Sequence, residues 1–258
     1  MMNRVAGYIK RKTMLYATRV EYGDYTMNHV LGCSHGCNYP CYAFMLKRRF
    51  GQISSYENWI KPFLVSNTME LLDKEIPRFK KKIKSVQLCF TTDPFMYGYN
   101  EIEEMSLAAI EKLNNAGIKC VILSKGILPL SLATYSKSNT YGITLISLDE
   151  DYRRRMEPGA APYAERLIAL KTLHDKGCKT WVSIEPYPTP NLIEQNLDKI
   201  LNTVKFTDRI IFGRTNYSRN VTEFKGHRKF YNEQAKKVVS FCKSNGIQYY
   251  IKNGTISK

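Results

Sequence analysis

Three cysteines fall within nine residues of this chain, Cys33, Cys37 and Cys41, in the stretch Gly32-Cys-Ser-His-Gly-Cys-Asn-Tyr-Pro-Cys-Tyr42. Closely spaced thiolates can ligate a metal cluster, and a 4Fe-4S cube held by three of them keeps one iron without a protein ligand. That iron is open to chemistry. The spacing is unlike the usual single-zinc pattern, in which cysteines arrive as two close pairs, or as a pair followed by a histidine pair, about 12 to 20 residues apart. No second pair exists here: Cys89, Cys120, Cys178 and Cys242 each stand alone in apolar or helical settings and read as buried small hydrophobes. A zinc site completed by His35 or His29 is the alternative for the trio.

From residue 26 onward, short apolar runs rich in β-branched residues alternate with segments of helical period, the signature of a parallel α/β architecture. Predicted strands cover 26–31, 85–90, 119–124, 141–147, 179–184, 209–212 and 248–251, and predicted helices 68–78, 102–116, 128–135, 164–176, 193–204 and 230–245. Gly117, Gly177 and Gly246 stand where three of the helices should stop. Six strand–helix units are fewer than the eight of a closed barrel, so the expected fold is α/β, an open partial (β/α)6 TIM-like barrel with its helices outside. Ligands bind such sheets at the C-terminal strand ends. Those ends carry the cysteine loop, Thr91-Thr92-Asp93, Ser124-Lys125, Ser147 with Asp149, Glu185, and Gly213-Arg214. Residues 1–25 show no helical period and are expected to form a lead-in strand or a partner-binding arm before a single domain spanning 26–258.

The composition, 43% hydrophobic and 24% charged over 258 residues, is that of a soluble globular chain able to bury one large core. No apolar run approaches the ~20 residues of a membrane span, and the start lacks a signal-peptide core. The expectation is a cytoplasmic protein with no membrane partner. Seven cysteines at irregular spacing fit a reducing compartment better than a disulfide framework. Lys plus Arg is 39 against 23 for Asp plus Glu, a net charge of +16. Basic runs occur at 10–12, 47–49, 80–84, 153–155 and 227–229. Such an excess attracts polyanions and makes nucleic acid the expected large partner.

The cysteine loop with Cys41-Tyr42-Ala43, then Thr92-Asp93-Pro94, Met156-Glu-Pro-Gly-Ala-Ala-Pro162 and Glu165-Arg166-Leu167, resembles the radical S-adenosylmethionine (SAM) enzymes, in the branch similar to spore photoproduct lyase. The resemblance covers roughly residues 26–190. It departs from the family at Pro40, which puts three residues rather than two between the last two cysteines and makes the motif CX3CX3C. The resemblance implies a radical SAM core whose 4Fe-4S cluster, on Cys33, Cys37 and Cys41, cleaves SAM to a 5'-deoxyadenosyl radical. It implies a lyase- or transferase-like enzyme on an unidentified substrate, with nucleic acid the first expectation, and an electron donor such as flavodoxin or ferredoxin. Thr92, Lys125 and Ser147 resemble cofactor-holding positions, Tyr39 and Tyr42 resemble shielding aromatics, and Glu185 is a further cofactor-binding match. Where the lyase carries a hydrogen-donating cysteine this chain has Phe90. Cys89, one residue earlier, is expected on the opposite face of the strand, so thymine-dimer repair is not expected. The alternative function is a non-catalytic iron–sulfur protein that binds nucleic acid.

Overall fold

The computed structural model describes residues 3–18 and 22–257. The chain begins with the short strands β1 (Gly7–Ile9), β2 (Tyr16–Ala17), β3 (Tyr25–Met27) and β4 (Val30–Leu31), then α1 (Tyr42–Arg49), α2 (Tyr56–Trp59) and β5 (Phe63–Val65). Strands and helices then alternate: α3 (Thr68–Phe79), β6 (Ser85–Leu88), α4 (Asn100–Asn115), β7 (Lys119–Ser124), a 3-10 turn (Leu130–Thr134), β8 (Thr140–Thr144), α5 (Glu150–Met156) and α6 (Tyr163–Asp175). The last third holds β9 (Lys179–Tyr187), α7 (Leu197–Thr203), β10 (Arg209–Arg214), α8 (Arg219–Glu223), α9 (His227–Asn245) and β11 (Gln248–Ile251). Helices α4, α6 and α9 stop at the three predicted glycines, each of which has a positive φ.

The main sheet runs β2-β3-β6-β7-β8-β9-β10-β11. All neighbours are parallel except β2, which runs antiparallel to β3. No ladder joins β11 back to β2, so the sheet is an open partial barrel. A second sheet, β1-β5-β4, sits beside it.

The strand predicted over 26–31 is two strands in different sheets. Asn28 and His29 break it: the Asn28 side chain accepts from the Thr91 amide and hydroxyl at 3.0 and 2.9 Å, and the His29 carbonyl accepts from Val65 at 2.8 Å. The expected lead-in is woven into both sheets through β1 and β2. Met14 and Leu15 are buried, and their amides donate to the Glu75 carboxylate at 2.7 to 3.1 Å.

Strand alternation divides the sheet into two faces. Ile122, Ile143, Val182, Ile184, Ile210 and Phe212 join Leu113, Leu170, Leu173 and Val238 of the helices in one large apolar core. Each such side chain contributes about 1.5 to 3 kcal/mol on burial. The inner face carries Val121, Trp181 and Ile211 as a floor, with Tyr22 against it. Gly142 makes room for that floor, since a Cβ there would lie 2.3 Å from the Trp181 ring of the neighbouring strand. Above the floor the inner face turns polar.

Candidate active site

A cavity of about 460 Å³ opens at the C-terminal ends of the parallel strands. Cys33, Cys37, Cys41, Tyr39, Tyr42, Thr92, Lys125 and Glu185 line it. Ser147 does not. It is fully buried, and its hydroxyl accepts from the Asp149 amide at 3.1 Å, at the start of α5. Strand β8 already ends at Thr144, and in that sector Thr144 and Ser183 provide the polar lining.

The cysteine loop is fixed from two sides. On one, the Cys33 amide donates to the Trp59 carbonyl at 2.8 Å and the Tyr56 hydroxyl to the Cys37 carbonyl at 2.6 Å. On the other, the loop pairs with the segment 155–159: Asn38 N–H to Met156 O at 2.9 Å, Asn38 Nδ2 to Arg155 O at 2.5 Å, and Gly159 N–H to His35 O at 3.0 Å. The chains run so close that a Cβ on Gly159 would stand 2.1 Å from the Ser34 carbonyl oxygen. Pro40 lengthens the loop so that Cys41 is the N-cap of α1.

Asp93 locks this loop onto the sheet. Its carboxylate accepts from Phe95 N–H (2.8 Å), Ser124 Oγ (2.7 Å) and Lys125 N–H (2.7 Å), and pairs with His35 Nε2 at 2.8 Å. Burial alone would raise its pKa, but the His35 ring and these hydrogen bonds reverse the effect and hold it below the usual carboxylate value. His35 is thus committed to Asp93. His29, the other histidine of the zinc alternative, is buried against Ser106 (2.7 Å) and Cys89 (3.5 Å).

Behind the cysteines lies a fully buried carboxylate that sequence reasoning left without a role. Glu157 receives Lys125 Nζ at 2.9 Å, the Tyr39 hydroxyl at 2.7 Å and Arg166 Nη2 at 3.0 Å. Arg166, itself fully buried, also donates to the carbonyls of Ala161 (2.8 Å) and Thr144 (2.9 Å). Burial opposes the charge of Glu157, but Lys125 and Arg166 outweigh it and hold its pKa at about 2. Burial likewise opposes the charge of Lys125, and the Cys37 thiolate and Glu157 push its pKa above the ordinary value instead. The Lys125 ammonium stands 3.5 Å from Cys37 Sγ, lies over the Tyr39 ring and hydrogen-bonds the Tyr39 hydroxyl. The signal for Glu157 was its place in the Met156–Pro162 motif.

On the far wall, Glu185 pairs with Lys252 Nζ at 3.2 Å, and Lys252 also donates to the Tyr22 hydroxyl at 3.3 Å. The Thr92 hydroxyl is buried beside the Cys89 thiol. Cys89 departs from expectation. Strand β6 ends at Leu88 and Cys89 has φ 52°, so strand alternation no longer governs it. It packs against Val30, Leu64, Met96 and Ile102, yet it also borders the cavity. The 153–155 arginines do not form a free basic patch: Arg153 is buried on Glu150 and the Ala160 carbonyl, and Arg154 pairs with Asp151.

Among the described residues no group of three or more His, Cys, Asp or Glu side chains is drawn together on a single-ion site. The three thiols share the wall of a wider cavity with the Lys125 ammonium, a donor set that fits an iron–sulfur cluster with an anionic ligand beside it. No helix among the described residues is long and apolar enough to cross a membrane.

The family model of the Radical SAM superfamily matches residues 27–207. An uncharacterized protein of Acidianus two-tailed virus is 25% identical over 189 residues, covering 70% of this chain and 61% of the viral protein, so the chain spans less than two thirds of that relative. An uncharacterized protein of Methanocaldococcus jannaschii is 22% identical over 192 residues, covering 72% and 68%. Among solved structures, spore photoproduct lyase complexed with dinucleoside spore photoproduct superposes with a TM-score of 0.70 at 13% identity, covering 95% of this chain and 82% of that one. Streptococcus suis SuiB bound to S-adenosylmethionine gives 0.52 at 14% identity, covering 70% and 41%. At these identities the structural likeness establishes the fold.

Proposed function

Because the chain belongs to the radical SAM superfamily, whose members use a 4Fe-4S cluster and S-adenosylmethionine, we propose that it binds the cluster through Cys33, Cys37 and Cys41 and acts on nucleic acid in a lyase- or transferase-like reaction. When bound, these cofactors supply reductive cleavage of the SAM carbon–sulfur bond, giving methionine and a 5'-deoxyadenosyl radical that takes a hydrogen atom from substrate. Radical SAM enzymes need a reductant, and flavodoxin or ferredoxin is the class proposed here.

The chain's own groups divide the remaining work. The Lys125 ammonium offsets negative charge at Cys37, and its three N–H bonds go to Glu157, Tyr39 and Cys37, so a cofactor carboxylate would be held by taking over one of them. Arg166 balances Glu157 from behind. Thr92 would stand beside the polar end of a bound cofactor, Tyr39 and Tyr42 would shield a bound cluster from water, and Glu185 with Lys252 faces the far end of the cavity. Ser147 is placed too deep for the role its position suggested; Thr144 and Ser183 take that sector.

The observation that carries this reading is the Lys125 ammonium, held by buried Glu157 beside Cys37 on the same cavity wall as the three thiols. A largely buried cation costs several kcal/mol to desolvate unless it is paired, and a purely structural cluster gives no reason to keep one at the wall of an open cavity. Nucleic acid is supported by the +16 charge and by the likeness to a protein complexed with a dinucleoside photoproduct. Photoproduct repair itself is not proposed, since Phe90 stands where the lyase has its thiol. The test is anaerobic reconstitution with iron and sulfide, then dithionite and SAM, with chromatography for 5'-deoxyadenosine. A fully loaded protein that forms none would favour the non-catalytic iron–sulfur reading.

A further inference from the structure

A second cavity of about 540 Å³ lies beside the first, between the segment leading into β2 and helix α1. Phe90 and Thr91 line both cavities, so the two are adjoining chambers. Two basic runs distant in the sequence meet here, contributing Arg11, Lys12 and Lys47. Among the described residues no Asp or Glu lines it, and none of the three cations has an ion pair.

Arg11 and Lys47 are held rather than merely displayed, while Lys12 is exposed. The Arg11 backbone is bracketed by the Asn67 side chain, donating to it at 3.0 Å and accepting from it at 2.9 Å. Arg11 Nη1 reaches the Tyr16 hydroxyl at 3.4 Å, while Nε is buried without a partner. Lys47 is turned by Gln52, at 2.9 Å. Burial and then the charge of Arg11 lower the Lys47 pKa, as expected of like charges sharing a chamber without a counter-ion. An anion between them relieves that repulsion.

The remaining lining identifies the anion. Phe50, 66% exposed, and Tyr16 present aromatic faces at this chamber, and Thr13, Thr26 and Gln52 supply neutral hydrogen-bonding groups. Cations that track a backbone combined with aromatic platforms are the recognition chemistry of single-stranded nucleic acid. A nucleotide that reacts in an enclosed cavity must also leave its stack. We propose that this chamber is a phosphodiester subsite, holding the backbone of a single strand at Arg11, Lys12 and Lys47 while the neighbouring nucleotide enters the active-site cavity past Phe90 and Thr91. The placement of that nucleotide rests on the proposed radical chemistry; the phosphate site does not.

The test is fluorescence anisotropy of a labelled single-stranded oligonucleotide of about 10 nucleotides, titrated over a range of salt without SAM or reductant. The double variant Lys12→Gln/Lys47→Gln should bind about tenfold more weakly at low salt and flatten the plot of log K against log salt by about 1.4, the loss of two single-strand phosphate contacts. Lys12→Glu alone, at an exposed position, should weaken binding in the same direction. Phe50→Ala should weaken it about tenfold with the slope unchanged, as loss of stacking does. The inference is overturned if Lys81→Gln/Lys82→Gln, an equal charge change elsewhere, flattens the slope as much. It is also overturned if poly-glutamate binds while the oligonucleotide does not. Absence of 5'-deoxyadenosine formation would count against the proposed function and leave this binding result standing.

Discussion

The Lys125 ammonium and the Glu157 carboxylate meet at 2.9 Å in the cavity wall, the lysine side chain 16% exposed and the glutamate fully buried. Their pairing is half of a three-charge arrangement, because Arg166 holds the other carboxylate oxygen at 3.0 Å. Glu157→Gln keeps the shape and removes the charge, leaving two buried cations without a partner. Breaking a buried pair in this way costs about 3 to 5 kcal/mol. Anaerobic urea denaturation of the variant measures it, and a loss below about 1 kcal/mol, the range of an exposed pair, would mean that Lys125 and Arg166 are neutralised elsewhere.

Acid should destabilise the fold in two stages. Burial lowers the His29 pKa from 6.5 to about 3, so the unfolded chain takes up this proton first. The stability it contributes is complete above pH 6.5 and is lost as pH falls from there toward 3, at up to about 1.4 kcal/mol per unit. Glu157 adds a second loss between its ordinary 4.5 and about 2. Between 6.5 and 4.5 the histidine carries the loss, opposed by Glu103, whose pKa burial and Glu104 raise, and His29→Gln should flatten the stability profile there. An unchanged slope in the variant would assign the acid sensitivity to another group.

Thr92→Val separates binding from folding. It replaces a buried hydroxyl beside the Cys89 thiol by a methyl group of similar size, so the protein without cofactors should lose at most about 1 kcal/mol, the worth of one weak hydrogen bond. SAM affinity of the cluster-loaded variant should fall about tenfold, the worth of one hydrogen bond of about 1.4 kcal/mol. Isothermal titration reads the affinity and thermal melting the stability. A variant that loses stability and keeps its affinity would make Thr92 a structural residue.

Cys33→Ala, Cys37→Ala and Cys41→Ala should each lose the cluster, since only three thiolates hold it. Cys120→Ala, Cys178→Ala, Cys242→Ala and Cys89→Ala should retain full iron and sulfide. Cys89→Ala should also keep 5'-deoxyadenosine formation, at a cost of about 1 to 3 kcal/mol for the packing it gives up. Iron retained by Cys41→Ala would show that Pro40 carries the third thiol out of reach.

Periodic elements were legible in the sequence because their signals are local. Strands β7 and β11 match their predicted limits, and the glycines that end α4, α6 and α9 stand where expected. What failed depended on partners far along the chain. Residues 26–31 carry a strand's composition, yet Asn28 is claimed by Thr91 and His29 by Val65, and the run divides between two sheets. Ser147 follows a strand by composition, but β8 ends three residues earlier and the chain turns into α5. The Glu157 network needs Lys125 and Arg166 from other elements, and nothing local marks that carboxylate as buried.

Tyr22 and Lys252 stand near opposite ends of the open sheet, one just before β3 and the other just after β11. They join through a hydrogen bond of 3.3 Å and a cation over a ring at 5.0 Å, while Tyr22 stacks on Trp181 at 5.3 Å. The barrel is therefore fastened by a clasp of side chains where a closed barrel would have a full ladder. Unfastening it sacrifices that hydrogen bond, about 1 kcal/mol, together with the contacts of the Tyr22 ring with Lys252 and Trp181, whereas parting two paired strands would sacrifice several backbone hydrogen bonds at once. Glu185, on β9, and Lys252, just after β11, lie on the same side of the gap between the first and last strands, so a break at the clasp would leave their ion pair intact.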